Sequence, residues 1–311
     1  MSTPSDPGTG ESGQPGQPEG TAPAVPTCYR HADRETYVSC VRCGRYACPD
    51  CMRSASVGQQ CVDCVSAGAQ STRQARTAFG GRPAAGAVVT WTLVVINVAV
   101  FLITWVRPGI VTDLEMLGYA RYVPGGPWHG VAAGEWYRLV TSAFVAPATG
   151  LSGLGFADIL FNMWALIFVG PALEGLLGRM RFLAVYLLSA VGGAVMYYFL
   201  APPNYPAVGA SGAIFGLFGA WFVVARRLRL DSRGIIALIV INLALSFFFH
   251  NIIAWQDHIG GLLTGALVTA AYVYAPAKNR AVWQALATVA VLAVLVVAVL
   301  VRNAQLTGAG W

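Results

Sequence analysis

Seven long apolar segments fill most of the sequence after residue 86, and they limit the folds that the chain can adopt. An α-helix needs about 20 apolar residues to cross the hydrocarbon core of a membrane. Backbone polar groups find no water in that core, so segments of this kind cross it as helices. The segments are 87–106, 157–176, 182–201, 208–225, 234–250, 257–275 and 281–301. The sequence therefore predicts an all-α polytopic membrane protein.

The composition agrees with this fold class. Hydrophobic residues make up 56% of the chain and charged residues 11%, whereas a soluble domain has roughly 25% charged residues. The net charge is +6, but the arginines lie mostly in short connections between apolar segments. We therefore expect the lipid bilayer to surround the chain, and we expect no nucleic-acid partner.

The positive charges of the connections predict an orientation in the membrane. Cytoplasmic connections of membrane proteins carry an excess of Lys and Arg. With the N-terminus inside, the cytosolic connections hold Arg179, Arg181, Arg226, Arg227, Arg229, Arg233, Lys278 and Arg280, and the outward ones hold Arg107, Arg121, Arg138 and Arg302. We therefore expect a multi-pass protein of the cell membrane with a cytosolic N-terminus.

All seven cysteines lie near the N-terminus, in pairs with short gaps. Together with one histidine they supply eight ligands, enough for two four-coordinate zinc ions. The eight residues are Cys28, His31, Cys40, Cys43, Cys48, Cys51, Cys61 and Cys64. Disulfides are the alternative, but the odd number of cysteines and the two-residue gaps favour a metal. Thiolates persist in a reducing compartment, which agrees with a cytosolic N-terminus.

Shifts in composition divide the chain into five regions. Pro, Gly and Ser dominate the first region, which we expect to be disordered. The predicted regions are a disordered N-terminus at 1–25, a double zinc module at 26–68, a linker at 69–86, a six-span core at 87–276, and an additional transmembrane helix with a short tail at 277–311. The outward connection 107–156 contains Trp128 and Trp136, so we expect it to lie partly in the outer leaflet; a folded extracellular loop is the alternative.

Three polar residues lie at one depth in different spans. Polar groups inside membranes are costly and indicate function by default. Asn162, Ser211 and His258 fall near the outward ends of spans two, four and six. A serine hydroxyl becomes a nucleophile when a base takes its proton, and His258 is the candidate base because Lys278 lies on the opposite side. Asn162 is a candidate donor to an oxyanion. The alternatives are that His258 is a structural histidine and that Asn162 makes an interhelical hydrogen bond.

Glycines predict how two of these spans meet. Gly261 and Gly265 share a helical face with His258, and they form a pair of small residues that permits close helix packing. Gly212 and Gly216 form a similar face in span four. We expect these faces to pack together and to bring the imidazole to the hydroxyl.

Four stretches then carry a family resemblance. They are EWYRLVTSAF (135–144), LFNMWALIFVGPALEGLLGRMRF (160–182), GASGAIFG (209–216) and DHIGGLLTGAL (257–267). Together they resemble the rhomboid family of intramembrane serine proteases. The resemblance implies a six-helix rhomboid core, to which the seventh span is an addition. It also implies that Ser211 is the nucleophile and His258 the general base of a dyad that needs no cofactor.

The resemblance also implies roles for residues around the dyad. Asn162 belongs to the oxyanion hole. Independently of the resemblance, Gly209 and Gly212 flank Ser211 without side chains and let a substrate backbone come close. Phe215 stands where the family often has an aromatic ring packed on the catalytic imidazole. Asp158 departs from the family, which usually has histidine four residues before the asparagine. An ionised carboxylate there would repel an oxyanion, and it could donate a hydrogen bond only when protonated.

The implied function is hydrolysis of a peptide bond in or near the transmembrane segment of a membrane-protein substrate. Because the reaction needs water, the site should open to the extracytoplasmic side. The alternative is a catalytically impaired relative that binds transmembrane clients, which Asp158 motivates. Aspartyl proteolysis through Asp158 and Asp257 is disfavoured because neither residue stands in a G-x-G-D context.

The N-terminal ligands resemble a B-box-type zinc finger. By this resemblance Cys28, His31, Cys48 and Cys51 hold one ion, and Cys40, Cys43, Cys61 and Cys64 hold the other. All eight ligands are then used for structure, which leaves no open coordination position for catalysis. We expect this module to bind a cytosolic protein partner.

Overall fold

The computed structural model describes residues 25–71, 76–83, 86–146 and 154–308. The segment for which we predict disorder, 1–25, lies outside these ranges except for Val25. The chain divides into two compact units, Met1–Gln74 and Ala75–Trp311.

The N-terminal unit is built from short strands and one helix. Its elements are β1 (Thr27–Cys28), β2 (His31–Glu35), a 3-10 turn (Pro49–Cys51), β3 (Met52–Ser54), β4 (Gln59–Cys61) and α1 (Val62–Ser71). β1 pairs with β2, and β3 pairs with β4, both antiparallel. The small core consists mainly of cysteine side chains, together with Ala47 and Met52. A unit this small buries little apolar surface and usually needs metals or disulfides for stability.

The described residues of the second unit form mainly helices joined by loops. Its seven long helices are α2 (Val88–Val106), α5 (Leu154–Leu177), α6 (Arg179–Leu200), α7 (Ser211–Leu228), α8 (Arg233–Phe248), α9 (Trp255–Val273) and α10 (Arg280–Gly308). Four short pieces lie in the connection between α2 and α5: α3 (Ile110–Leu114), α4 (Arg138–Thr141) and two 3-10 turns (Val131–Ala133, Ser142–Phe144).

Five of the long helices have the length and hydropathy needed to cross a membrane: α2, α5, α6, α7 and α10. The apolar helix α8 has 16 residues and is shorter. The first turn of α9 contains Gln256, Asp257 and His258, which lowers its mean hydropathy. The predicted fold class, a polytopic helical membrane protein, is confirmed.

The start of α7 differs from the sequence prediction. The predicted span begins at residue 208, but the helix begins at Ser211. Gly209 has φ +129°, outside the right-handed helical region, and its N–H donates to the Ser142 carbonyl at 3.0 Å. A residue with a side chain rarely adopts this φ. Ser211 is therefore the first residue of its helix and follows a non-helical segment.

The centre of the unit is a close contact between α7 and α9. A Cβ atom added at Gly261 would collide with the Gly212 backbone, and one added at Gly265 would collide with the Gly216 backbone. The two helices therefore touch backbone to backbone, as the glycine spacing predicts. Helix α6 packs on both α7 and α9, and its own residue Phe182 is completely buried.

A buried carboxylate fixes the start of α2 against α5. Glu174 accepts hydrogen bonds from the N–H groups of Val89 and Thr90 at 3.0 and 2.8 Å, and from the Thr90 hydroxyl at 2.8 Å. The first N–H groups of a helix have no partners within it. Glu174 therefore supplies acceptors that the apolar start of α2 lacks.

The connection between α2 and α5 is folded around a buried arginine. Arg138 is 1% exposed, and its guanidinium donates to the carbonyls of Thr112 and Glu115 and to the Glu135 carboxylate, at 2.7–2.9 Å. Burial alone would raise the pKa of Glu135, but the Gly130 N–H and Arg138 hold that pKa below its usual value. Residues 107–146 thus form an ordered element, and its position in the outer leaflet stays a prediction.

Candidate active site

The structure brings the Ser211 hydroxyl and the His258 imidazole together. Ser211 Oγ lies 2.8 Å from His258 Nε2, although the residues are 47 positions apart. Ser211 opens α7 and is half-buried, whereas His258 lies in the first turn of α9 and is 7% exposed. The close glycine contact between α7 and α9 lies directly beneath this pair and fixes their separation.

The position of Ser211 favours negative charge beside its hydroxyl. The first N–H groups of a helix point outward without partners in the helix, and the helix dipole places partial positive charge there. Ser211 is in this first turn, and the preceding Gly209 has no side chain to cover it. An oxyanion formed on a carbonyl group that Ser211 Oγ attacks would therefore lie near the Ser211 N–H.

Two further side chains contact the His258 imidazole. Phe215 packs on its face, and Ser246 lies at Nδ1. The Phe215 ring stacks on the imidazole with the centroids 4.2 Å apart and an interplanar angle of 12°. The Ser246 hydroxyl lies 2.7 Å from His258 Nδ1, and it donates to the Asn242 carbonyl at 2.6 Å. Sequence analysis missed Ser246. The available signal was a second small polar residue one turn after Asn242 in the apolar run INLALSFF (241–248).

Asn162 and Asp158 lie on another side of the Ser211 segment. Both line a small cavity that also reaches Ala210, the residue before Ser211. Asn162 is buried, and its side chain interacts with the Asp158 carboxylate. Asp158 also lies near Gly209, since a Cβ on that glycine would stand 3.5 Å from Oδ2. The two side chains from α5 thus lie beside the segment that leads into Ser211.

Asp257 and His250 are two further polar residues near the ends of the long helices. The Asp257 carboxylate packs against Gly193 and Gly212. The exposed His250 lies in the turn after α8, with Nδ1 3.2 Å from the Phe247 carbonyl. Neither side chain takes part in the contact between Ser211 and His258.

Comparison with known proteins identifies the family. A Rhomboid domain model matches residues 133–275. The putative rhomboid protease YdcA of Bacillus subtilis is 41% identical over 145 residues, which cover 45% of this chain and 69% of YdcA. This chain belongs to the rhomboid family. The rhomboid protease GluP of the same organism is 40% identical over 146 residues, 45% of this chain and 27% of GluP. The rhomboid protease AarA of Providencia stuartii is 25% identical over 226 residues, 62% of this chain and 75% of AarA.

The rhomboid match includes the whole candidate site. Asn162, Ser211 and His258 lie inside residues 133–275, as do Asp158 and Ser246. The match begins after α2 and ends before α10. It does not extend to the N-terminal unit, so the B-box resemblance of that unit stays a prediction.

The N-terminal unit of this rhomboid groups the eight predicted ligands into two sets. One set is Cys28, His31, Cys48 and Cys51, and the other is Cys40, Cys43, Cys61 and Cys64. Within each set the ligand atoms lie within 4.8 Å of one another. This is the interleaved grouping that the resemblance implies.

The distances within the two sets fit a metal ion better than disulfides. His31 Nδ1 lies 3.7, 3.5 and 3.4 Å from the sulfurs of Cys28, Cys48 and Cys51. The sulfurs of Cys43 and Cys61 are 3.7 Å apart, and all seven cysteines are free. Zinc–sulfur bonds of about 2.3 Å in a tetrahedron place neighbouring ligands about 3.8 Å apart. The two donor sets thus have the chemistry and the spacing of structural zinc sites.

The pKa values of individual cysteines in the two sets differ. Backbone hydrogen bonds, led by that of Cys61, lower the pKa of Cys40 to about 6. Burial alone would raise the pKa of Cys28, but hydrogen bonds from backbone groups, including that of Cys48, lower it to about 6. By contrast, burial and neighbouring thiols raise the pKa of Cys51 to about 11. A bound cation requires its cysteine ligands as thiolates, so metal binding would release the protons of the cysteines in each set.

Proposed function

We propose that this rhomboid is a serine peptidase that cleaves membrane proteins in or near their transmembrane segments. The observation that carries the proposal is the 2.8 Å contact between Ser211 Oγ and His258 Nε2 within a bundle of membrane-spanning helices. A hydroxyl within hydrogen-bond reach of an oriented imidazole is the arrangement of an activated serine nucleophile. Relatives named rhomboid proteases support the same activity.

The first half of the reaction forms an acyl-enzyme. Ser211 Oγ attacks the carbonyl carbon of the substrate while its proton passes to His258 Nε2. The carbonyl oxygen becomes an oxyanion, which the Ser211 N–H and the Asn162 amide stabilise. His258 then gives the proton to the amide nitrogen of the substrate, the C–N bond breaks, and the new amino terminus leaves. Each donor to the oxyanion is worth about 100-fold or more in rate.

The second half restores the enzyme. Water attacks the ester carbon while His258 Nε2 takes one of its protons. The ester bond to Ser211 Oγ then breaks, and the proton on Nε2 returns to Oγ. The products are a carboxylic acid and the free enzyme, so His258 serves twice as base and twice as acid.

The proposed site opens to the extracytoplasmic side. Ser211 is the first residue of α7, and His258 lies in the first turn of α9, so both stand near helix ends. Water reaches this level more easily than the bilayer centre. The arginine bias of the opposite connections supports a cytosolic N-terminus. A substrate helix must unwind locally there, because its own hydrogen bonds shield its peptide bonds.

We also propose that the N-terminal unit binds two structural zinc ions. The two sets of four ligands support this assignment. Thiolate and imidazole ligands suit zinc, and a closed four-ligand site gives it a folding role. The expected position of this unit is the cytosol, where its surface is available to a protein partner.

A cleavage assay tests the peptidase. The full chain is reconstituted in lipid vesicles with a fluorogenic transmembrane peptide. Wild-type protein should cleave the peptide, whereas Ser211→Ala and His258→Ala should not. The control is Thr269→Val, which changes a buried side chain of α9 that has no hydrogen-bond partner among the described residues. Binding of the peptide without cleavage by wild type would favour a client-binding protein instead.

A further inference from the structure

The Ser246 hydroxyl occupies a defined place beside the candidate base. Ser246 lies on α8, next to α9, and is 1% exposed. Its Oγ atom is 2.6 Å from the Asn242 carbonyl and 2.7 Å from His258 Nδ1. These contacts are independent of the Ser211 contact, which uses the other imidazole nitrogen.

The two Ser246 contacts fix where the imidazole proton lies. A serine hydroxyl has one hydrogen, and a carbonyl oxygen can only accept. At 2.6 Å from the Asn242 carbonyl, the Ser246 hydrogen must point to that carbonyl. The short contact to His258 therefore needs a hydrogen on Nδ1, which donates to Ser246 Oγ. In the neutral imidazole Nε2 is then unprotonated and can accept the Ser211 hydrogen.

We propose that Ser246 is a positioning residue that holds His258 in the tautomer required of a general base. The inference deepens the proposed peptidase and rests on it. When His258 takes the Ser211 proton, both ring nitrogens carry hydrogen. Ser246 then continues to accept from Nδ1, and its own donated bond to Asn242 makes its oxygen a better acceptor. Ser246 thus stabilises both the resting base and the imidazolium that forms during the reaction.

Ser246 and Phe215 restrict different movements of the same ring. The stacked Phe215 ring sets the plane of the imidazole. Stacking alone permits a half-turn about the Cβ–Cγ bond of His258, which keeps the ring plane but would direct carbon instead of Nε2 toward Ser211. Such a turn breaks the Ser246 bond and leaves a buried N–H without an acceptor, which is costly. Ser246 therefore selects one of the two ring orientations that Phe215 allows.

Three variants of Ser246 separate its hydroxyl from its volume. Ser246→Ala removes the acceptor and should lower kcat by about tenfold to a hundredfold, with KM little changed. Ser246→Thr keeps the hydroxyl and should retain most of the activity. Ser246→Cys keeps nearly the same volume with a weaker acceptor, so it should lower kcat even if the alanine variant does not fold.

The matched control is Ser189→Ala. Ser189 is fully buried on α6 and has no hydrogen-bond partner among the described residues. Its substitution removes the same atom from a neighbouring membrane helix without touching the histidine. We expect the kcat of this variant to stay within about twofold of wild type.

Nitrogen NMR of histidine-labelled full chain tests the tautomer directly. The chain has four histidines, and the His258 signals are those that His258→Gln removes. Wild type should show a protonated Nδ1 and an unprotonated Nε2, and Ser246→Ala should lose this pattern while Ser189→Ala keeps it. A wild-type proton on Nε2, or an unchanged tautomer and kcat in Ser246→Ala, would overturn the proposal. If Ser246→Ala loses the pattern but wild type cleaves nothing, the positioning stands and the peptidase alone fails.

Discussion

Phe215 and His258 stack face to face, with their ring centroids 4.2 Å apart and their planes inclined by 12°. Phe215 lies one turn after Ser211 on α7, so the helix that carries the candidate nucleophile also fixes the plane of the candidate base. The contact joins α7 to α9 beside the glycines at which these helices touch. The geometry of the pair therefore depends on helix packing as much as on the two reacting side chains.

Loss of the Phe215 ring should slow catalysis more than it weakens the fold. Phe215→Leu keeps an apolar side chain of similar length but removes the stacking face, so the imidazole can tilt away from Ser211. We expect kcat to fall about tenfold, because aromatic stacking contributes roughly 1 kcal/mol beyond burial. Steady-state cleavage and a thermal melt measure the two effects. Phe215→Tyr keeps the ring and should stay near wild type; equal activity of the leucine variant would contradict this role.

A methyl group at the α7–α9 contact should disrupt the site from a distance. Gly261→Ala places a Cβ against the Gly212 backbone, and separating the helices should cost about 2 kcal/mol or more. We expect both the melting temperature and kcat to fall. The control is Gly175→Ala on α5, where an added Cβ meets nothing within 4 Å. That variant should be as stable as wild type or slightly more stable, by up to about 1 kcal/mol.

Neutralising Asp158 should raise the rate. An ionised carboxylate accepts hydrogen bonds but cannot donate one, and it lies beside the segment that leads into Ser211. Asp158→Asn has nearly the same shape, removes the negative charge and adds donor hydrogens. We expect kcat to increase at least several-fold, since a well-placed donor to an oxyanion is worth about 100-fold or more. Asn162→Ala removes a donor instead of adding one, so this control variant should have a lower kcat. A lower kcat of Asp158→Asn would contradict the prediction and show that the carboxylate supports catalysis.

The N-terminal unit should bind two zinc ions independently of the peptidase site. Metal analysis of purified full chain should give two zinc ions per molecule. Cys40→Ser should release the ion of its own set and leave the set that contains His31. His129→Gln changes a histidine outside both sets and serves as the control, which should retain two ions. A wild-type protein without zinc, or with cysteines joined as disulfides, would contradict the assignment.

The sequence predicts the seven long helices well, because membrane thickness sets their length and lipid sets their composition. The start of α7 is less predictable. Apolar residues continue back to Val208. The Gly209 N–H, however, donates to the Ser142 carbonyl, and α7 begins only at Ser211. That bond joins segments far apart in sequence, so no local pattern indicates it.

The candidate site residues also differ in how clearly the sequence predicts them. Ser211 and His258 stand out because a polar group in a membrane span is costly unless it has a function. Ser246 does not stand out, since a serine in a helix can bond its own preceding carbonyl, as it does with Asn242. The contact to His258 arises only when α8 packs beside α9. The role of Phe215 likewise depends on the resemblance, because an aromatic residue in a membrane helix is ordinary on composition alone.

Covalent labelling of the serine shows whether Ser211 is an activated nucleophile. Purified full chain is treated with a fluorophosphonate probe, and the modified residue is located by mass spectrometry of its peptides. We expect one adduct, on Ser211, which is absent from Ser211→Ala and strongly reduced in His258→Ala because the base is lost. Labelling of His258→Ala as fast as wild type, or an adduct on another serine while Ser211 stays unmodified, would contradict this expectation.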